Sequence, residues 1–482
     1  MLLYDWISRT AQKHGTLRAL FYRDTYLSFR GLLHRVERRA SELASFGIKE
    51  GDSVGLMLGN VPEFFILLLA LSKLKTTVIP MDPTLSVREV NTVLRMIPLK
   101  ALITRPKGGT DPTTTVPPSV KPLRKNPPRI EPESQRRLQG TLLTCSLYKK
   151  SPSDRVLGVP LVFLTQDAQG RPKGVLRTEE NILASYDVLH KELGFSEKDR
   201  LIGTLPLHTS YAFENLLLTS LGAGCVLYLE DESSVSRVLK IIKEQEITFF
   251  PTQPLIIDSI GKIPTLKPLS HQSIRVISSG APLDSDIAQV FQRRFGPRVY
   301  SLYRTTETGP ISIEKTGHFL GTVGCAMADV QISFNNQNVM VSSPTVSRDF
   351  LVYEDDAAFD DWMGATQSAT LQSYKGPLDT GDLGQINSEG QLVLNGRSDE
   401  QVKIEGKRAS LSEISKCLEK HPKVRKAQAV VIPDPDGVLQ LIAKVSLRSS
   451  CSEEELLDHC IFNLSSHKIP RRIEFTKQMV EG

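Results

Sequence analysis

The stretch "LTQDAQGRPKGV", Leu164–Val175, carries the side chains best suited to phosphate chemistry. It closes on Gly170, Pro172, Lys173 and Gly174. A phosphate loop works through inward-aimed backbone N–H groups, glycines that permit that geometry, and hydroxyls that add donors. It opens on Gln166, Asp167, Ala168 and Gln169, which supply none of these. Asp167 opposes the function, because a carboxylate about 4 Å from a phosphate charge costs on the order of 4 kcal/mol at an effective dielectric near 20. That is roughly a thousandfold in affinity unless the loop turns it away. Taken alone, Lys173 also reads as a solvated turn lysine, Glu307 in "YRTTETG" as a cap on the following loop, and Asp382 in "DTGD" as an Asx-turn residue. The cysteines at 145, 225, 325, 417, 451 and 460 form no CxxC pair and no His/Cys cluster along the chain. They read as buried free thiols, not as a zinc site or a disulfide framework.

The elements that must position these residues alternate between helical and strand patterns. "SFRGLLHRVERRASELASFG" is amphipathic at helical spacing, "DSVGLML" reads as a strand, Pro62 to Leu74 as a helix and "TTVIPM" as a strand, an order that implies parallel βαβ units. Eight prolines between Pro106 and Pro132 mark an irregular, exposed excursion over about 105–137. Alternation then resumes with "VPLVFLT", a helix from Thr178 to Leu193, "RLIGTLP", a helix over "ENLLLTSLGAG", "CVLYL", a helix from Ser234 to Glu246, and "ITFFPT". Val323 to Leu394 shifts to short strands with turn residues, and charged helices flank "AQAVVIP" and "LQLIAKVSL" beyond Arg397. The expected fold is α/β: a large multi-sheet N-terminal domain, residues 1–396, with a β-rich subdomain, and a small mobile α+β C-terminal domain, residues 397–482.

The bulk numbers agree. A chain of 482 residues exceeds what one core supports, and 40% hydrophobic with 23% charged residues is ordinary globular composition. A net charge of +5 without a dense basic run excludes a nucleic-acid partner. "FFILLLALSKL" is too short for a bilayer and is broken by Lys73, so no transmembrane segment is expected. The N-terminus shows no secretion signal, which points to the cytoplasm.

Five ordered segments resemble the adenylate-forming superfamily of acyl-CoA synthetases, peptide-synthetase adenylation domains and luciferases. They are "FLTQDAQGRPKGVLRTEENI", "SGAPL", "YRTTETG", "GTVGCAM" and "DTGDLGQINSEGQLVLNGRSDEQVKIEGKR", and the resemblance covers nearly the whole chain. It implies that a carboxylate attacks the α-phosphate of ATP to give an acyl adenylate, and that a thiol of CoA or of carrier-protein phosphopantetheine then takes the acyl group. Lys173 would meet the phosphates; Thr306 and Glu307 would hold the α-phosphate and Mg²⁺; Asp382 would accept the ribose hydroxyls; Arg397 would close on the nucleotide. Thr165, Gly170, Gly174, Gly280, Ala281 and Tyr303 complete the implied nucleotide site, and Asp399 falls at the hinge about which the small domain rotates. The sequence departs from the family at Gln166, Asp167, Ala168 and Gln169, and at Arg304, which replaces a glycine. Arg304 would either crowd the site or answer the charge of Asp167 or the phosphates. "HKIPRRIEFTKQMVEG" approaches the family's terminal lysine and stops before it, so the small domain is expected to be truncated; Lys477 lacks the family context and is given no role.

Relatives that activate amino acids hold the α-ammonium with an acid after Leu-Pro, because a buried ammonium needs a partner. Here "LPLHTSYAFENLLL" offers Tyr211 and no Asp, which favours a small fatty or aryl carboxylic acid. His208 is equally an acid-pocket residue or an ordinary histidine. The expectation is an AMP-forming acid–thiol ligase; the departures leave open a non-catalytic acyl-, CoA- or protein-binding descendant.

Overall fold

The computed structural model describes residues 3–105, 130–149, 156–167, 171–230, 235–263, 274–318, 321–352, 369–398, 401–404, 407–433 and 439–476. Gly170, Asp399, Lys477 and most of the proline-rich excursion lie outside them.

Two nine-stranded sheets dominate the described residues. The first runs Cys325–Ala326, Gly309–Glu314, Val299–Thr305, Arg275–Ser278, Phe249–Thr252, Arg200–Gly203, Val226–Leu229, Arg18–Tyr22, Thr25–Ser28. The second runs Thr370–Ser373, Asp349–Val352, Pro172–Arg177, Leu161–Gln166, Thr77–Pro80, Ser53–Met57, Ala101–Thr104, Thr144–Leu147, Ser134–Arg137. Ser53–Met57 pairs in parallel with both Thr77–Pro80 and Ala101–Thr104, as the helix–strand alternation requires.

Helix Phe29–Ser45 starts where the Ser28 side chain accepts the Gly31 N–H, and it buries the stripe Phe29, Leu32, Val36, Ala40 and Leu43. Helix Pro62–Lys73 is different: every residue from Phe64 to Ser72 is buried, the pattern of a helix enclosed by other elements rather than by lipid. Helix Glu179–Leu193 is set by a Thr178–Asn181 capping box and stopped by Gly194 at φ +60°. Among the described residues no helix is long and apolar enough to cross a membrane.

Beyond Arg397 come the hairpin Gln401–Ile404/Lys407–Ser410, helix Leu411–Glu419, helix Glu453–Asn463 and a three-stranded sheet of Val424–Pro433, Leu439–Leu447 and Arg472–Phe475. This unit has its own core, built on Ile414, Leu418, Val445 and Leu456.

Three details differ from the sequence reading. Ser134–Arg137, inside the expected irregular excursion, is an edge strand paired with Thr144–Leu147. All four of its residues are exposed, so it carries no apolar alternation to reveal it. The strands between Val323 and Leu394 are not one unit, since Asp349–Val352 joins the second large sheet through Phe350 opposite Val175. The helix over "ENLLLTSLGAG" begins earlier, at Ser210, and is wound as a π-helix from Phe213 to Leu218.

Candidate active site

Strands Leu161–Gln166 and Pro172–Arg177 form the hairpin that carries the candidate phosphate loop, with Thr165 opposite Lys173 and Leu164 opposite Gly174. A side chain at Gly174 would meet Val162 at 3.1 Å and Leu351 at 3.2 Å, so glycine lets the neighbouring strand close up. The neck of the loop is locked by its own charges. Arg171 donates its backbone N–H to Asp167 Oδ1 at 2.8 Å and its Nε–H to Oδ2 at 2.6 Å, while Asp167 N–H reaches the Arg171 carbonyl at 3.0 Å. Asp167 is therefore answered by Arg171. Lys173 Nζ lies 3.8 Å from Glu307 Oε1 and 4.3 Å above the Phe350 ring, bringing the candidate phosphate cation and the candidate magnesium carboxylate together.

A second cluster stands at the end of strand Val299–Thr305. Tyr303 donates its hydroxyl to Asp382 Oδ2 at 2.6 Å, and Arg397 donates to Oδ1 at 2.7 Å. Burial, with the charge of Asp382 adding to it, pushes the Tyr303 phenol well above its ordinary value, so it stays a neutral donor. Asp382, Tyr303 and Arg397 thus form one hydrogen-bonded unit. Gly280 adopts φ +94°, a conformation that suits glycine, and Ala281 follows it half-buried.

A cavity of about 290 Å³ adjoins the hairpin, whose Thr165, Gln166 and Pro172 help to line it. Thr165, His208, Tyr211, Gly280, Arg304 and Thr306 line it. Lys173, Gly174, Ala281, Tyr303, Glu307, Asp382 and Arg397 do not. Tyr211 is anchored by its hydroxyl, which donates to the carbonyls of Thr252 and Ile277 at 3.2 and 3.0 Å. His208 Nε2 faces Asp82 Oδ2 at 3.6 Å. Arg304 turns to Glu214 rather than to Asp167: it bonds Glu214 Oε2 and Ser210 Oγ, and Ser210 donates in turn to the Thr306 hydroxyl at 3.1 Å. Glu214 also holds Arg177 at 3.3 Å, and both side chains are only 2% exposed.

The family described as AMP-binding enzyme matches residues 7–344. The chain belongs to it. A 2-succinylbenzoate–CoA ligase of Bacillus licheniformis is 24% identical over 98% of this chain and 96% of its own length. An oxalate–CoA ligase of Arabidopsis thaliana is 26% identical over 98% of this chain and 94% of its own. A double mutant of the o-succinylbenzoate CoA synthetase of Bacillus subtilis, bound to a product analogue, OSB-NCoA, superposes with a TM-score of 0.79 at 21% identity, covering 99% and 95% of the two chains. The same enzyme in complex with ATP and magnesium gives 0.64 at 21% identity, covering 98% and 96%.

In this member of the AMP-binding family the small C-terminal unit closes one side of the cavity with Cys417, Asn463, Leu464, Ser465, His467 and Lys468. Lys468 Nζ donates to Glu89 Oε1 at 2.9 Å and to Glu413 Oε1 at 3.1 Å. Burial lowers Lys468, but Glu413 and Glu89 outweigh it and hold the ammonium charged. Burial also opposes ionisation of Glu89, yet the charge of Lys468 and bonds from Ser86 and Lys468 keep its carboxyl below the ordinary value. Glu413 is the member that gives way: burial raises it to about 7 from 4.5, Lys468 offsets part of this and Glu89 adds to it.

The pH dependence of closure follows. Between 4.5 and about 7 the docked form retains a proton on Glu413 that an undocked form has released, so docking weakens as pH rises through that range and is weakest above it. The contribution of Glu89 has the opposite sense, complete above 4.5 and lost only as pH falls below its depressed value. An inter-domain fluorescence-transfer pair is expected to report tightest docking near the acid end of the window, and Glu413→Gln to flatten the slope. A signal independent of pH in the unmodified protein would remove Glu413 from control of the contact.

Sequence reasoning missed Arg177, Glu214, Glu89, Glu413 and Lys468. Glu214 carried a readable signal, since an acid inside the apolar run "YAFENLLL" must find a buried partner. Folding also brings together His421, Cys451 and Glu455, whose ligand atoms lie within 4.8 Å of one another although 30 residues separate the first two in sequence. The trio is already occupied. Lys423 Nζ holds Glu455 Oε2 at 2.8 Å, and the Lys423 N–H points at His421 Nδ1 at 3.4 Å, which leaves the ring proton on the nitrogen a metal would need.

Proposed function

We propose that the chain is an AMP-forming acid–thiol ligase that joins a small aryl or short acyl carboxylic acid to CoA, or to carrier-protein phosphopantetheine. The observation that carries this reading is the cavity itself. Its volume of about 290 Å³ stands at the lower end of ligand sites, its wall combines apolar Leu85, Val93, Phe163 and Leu464 with the hydroxyls of Thr165 and Thr306, and both domains contribute. Glu214 is spoken for by two guanidiniums, so it offers nothing to an α-ammonium, in keeping with a simple acid over an amino acid.

The residues present fit a nucleotide. Asp382, with Tyr303 and Arg397, would take the ribose; Thr165, Thr306 and Lys173 the phosphates; and Glu307 a Mg²⁺ ion that keeps most of its water. ATP, when bound, would supply the adenylyl group that the acid's carboxylate takes up at the α-phosphate, with pyrophosphate leaving. The chain's own groups position the carboxylate between the two threonines and neutralise the developing charge.

A second reading, a binding module without adenylation, is favoured by the Asp167–Arg171 lock, in which a carboxylate occupies a loop N–H that a phosphate would otherwise use. Mass-spectrometric detection of acyl-AMP after mixing the protein with Mg·ATP and a panel of aryl and short acyl acids separates the two. The ligase reading expects an adenylate, lowered at least roughly a hundredfold by Lys173→Ala, as for loss of one preorganised charge contact. A folded protein that forms no adenylate with any acid would leave the binding module.

A further inference from the structure

We infer that Gln166, where the family resemblance leads one to expect serine, is a positioning residue that ties the phosphate hairpin to the docked small domain; the inference rests on the ligase reading. Gln166 Nε2 donates to Glu413 Oε2 at 3.2 Å, across 247 residues of sequence. It is one part of a latch that joins three elements. Glu413, at the start of helix Leu411–Glu419, gives one carboxylate oxygen to Gln166 and the other to Lys468. Lys468 continues to Glu89 on helix Val87–Met96 of the large domain, where Ser465 also donates at 3.1 Å.

The side chains are built for this role. Lys468 is 3% exposed and Glu413 7%, so both groups have left water and each needs every partner it has. Glu89 is held in place by the Ser86 capping box, with its Oε2 accepting the Ser86 N–H at 2.9 Å while Oε1 faces the small domain. A serine at position 166 would end two covalent bonds short of the glutamine amide and would not reach Glu413. The change that removes a hydroxyl donor from the phosphate hairpin is thus the change that creates the contact with the small domain. The same atom exchange should favour the docked arrangement and disfavour nucleotide phosphates, moving the two half-reactions in opposite directions.

The test uses the full chain and two readouts. Hydrogen exchange of the segment from 463 to 469 reports docking whether or not the protein is active. Acyl-AMP formation from benzoate and Mg·ATP, and consumption of synthetic benzoyl-AMP by CoA, report the two half-reactions. Gln166→Ser should speed exchange of that segment roughly tenfold, the effect of losing a hydrogen bond to a charged group. It should slow the CoA step by a similar factor and raise acyl-AMP formation. Lys468→Met, acting from the other side of the latch, should speed the exchange at least as much. Unchanged exchange in Gln166→Ser would overturn the inference, as would equal loss in both half-reactions, the mark of a merely structural residue. Faster exchange in a protein with no chemistry at all would keep the latch and reject the ligase reading.

Discussion

Replacing Arg171 with glutamine is expected to lower the affinity for Mg·ATP by up to roughly a thousandfold, the largest functional effect of any single change outside the nucleotide contacts. Arg171 makes Asp167 tolerable in the hairpin by meeting both of its oxygens, through Nε at 2.6 Å and the backbone N–H at 2.8 Å. Without the guanidinium the backbone N–H of residue 171 still bonds Oδ1, but the carboxylate loses its neutralising cation, at up to about 4 kcal/mol for a phosphate 4 Å away and an effective dielectric near 20. The two side chains are about a quarter exposed, so solvent screening makes this figure a ceiling. Asp167→Asn in the Arg171→Gln background should restore most of the loss, and Asp167→Asn alone should bind tighter than the unmodified chain, since it removes the opposing charge and keeps the cation of Arg171. Calorimetric titration with Mg·ATP reads all four proteins. Equal affinity for Arg171→Gln and the unmodified chain would mean that Asp167 is turned away from the nucleotide by the loop itself.

Glu214→Gln is expected to cost about 3–5 kcal/mol of stability, the penalty for leaving buried charge without its partner. Arg177 and Arg304 converge on this one carboxylate, Arg177 at 3.3 Å and Arg304 at 3.0 Å, with side-chain exposures of 2% and 7%. Neutralising Glu214 strands two guanidiniums side by side. Arg304→Met should cost far less, because the Arg177–Glu214 pair survives it, and adding Arg304→Met to Glu214→Gln should recover part of the loss by removing one stranded cation. Denaturant unfolding of the single and double variants checks the order. A cost below about 1 kcal/mol for Glu214→Gln would show that water reaches the network. The π-helical winding of Phe213–Leu218 places Glu214 in this network, an arrangement of the kind that recurs at functional sites.

Much of this was legible in the sequence. Alternation of helical and strand patterns gave the parallel pairing of Ser53–Met57 with its neighbours, and five ordered motifs gave the family. Local signals worked where the physics is local: Thr178 with Asn181 starts a helix, and Gly194 ends it. They failed where the decisive partner is distant. Nothing near Arg304 announces Glu214, 90 residues away, and nothing near Gln166 announces Glu413. For Arg304 the sequence leaves two readings, crowding of the site or a cation for Asp167 or the phosphates, because only its size and charge are visible; in the fold Arg171 meets Asp167 and Arg304 meets Glu214. Ser134–Arg137 was lost for the opposite reason: an edge strand with both faces in water has no pattern to see.

The cavity has walls from two domains, with Thr165 and Thr306 on one side and Leu464 and Lys468 on the other. A molecule inside it is therefore a fastener. By thermodynamic reciprocity, the factor by which an acid tightens the closed arrangement equals the factor by which closure tightens the acid. The Lys468 contacts to Glu89 and Glu413 hold the second wall against the large domain, so an acid that tightens closure lengthens the life of those contacts as well.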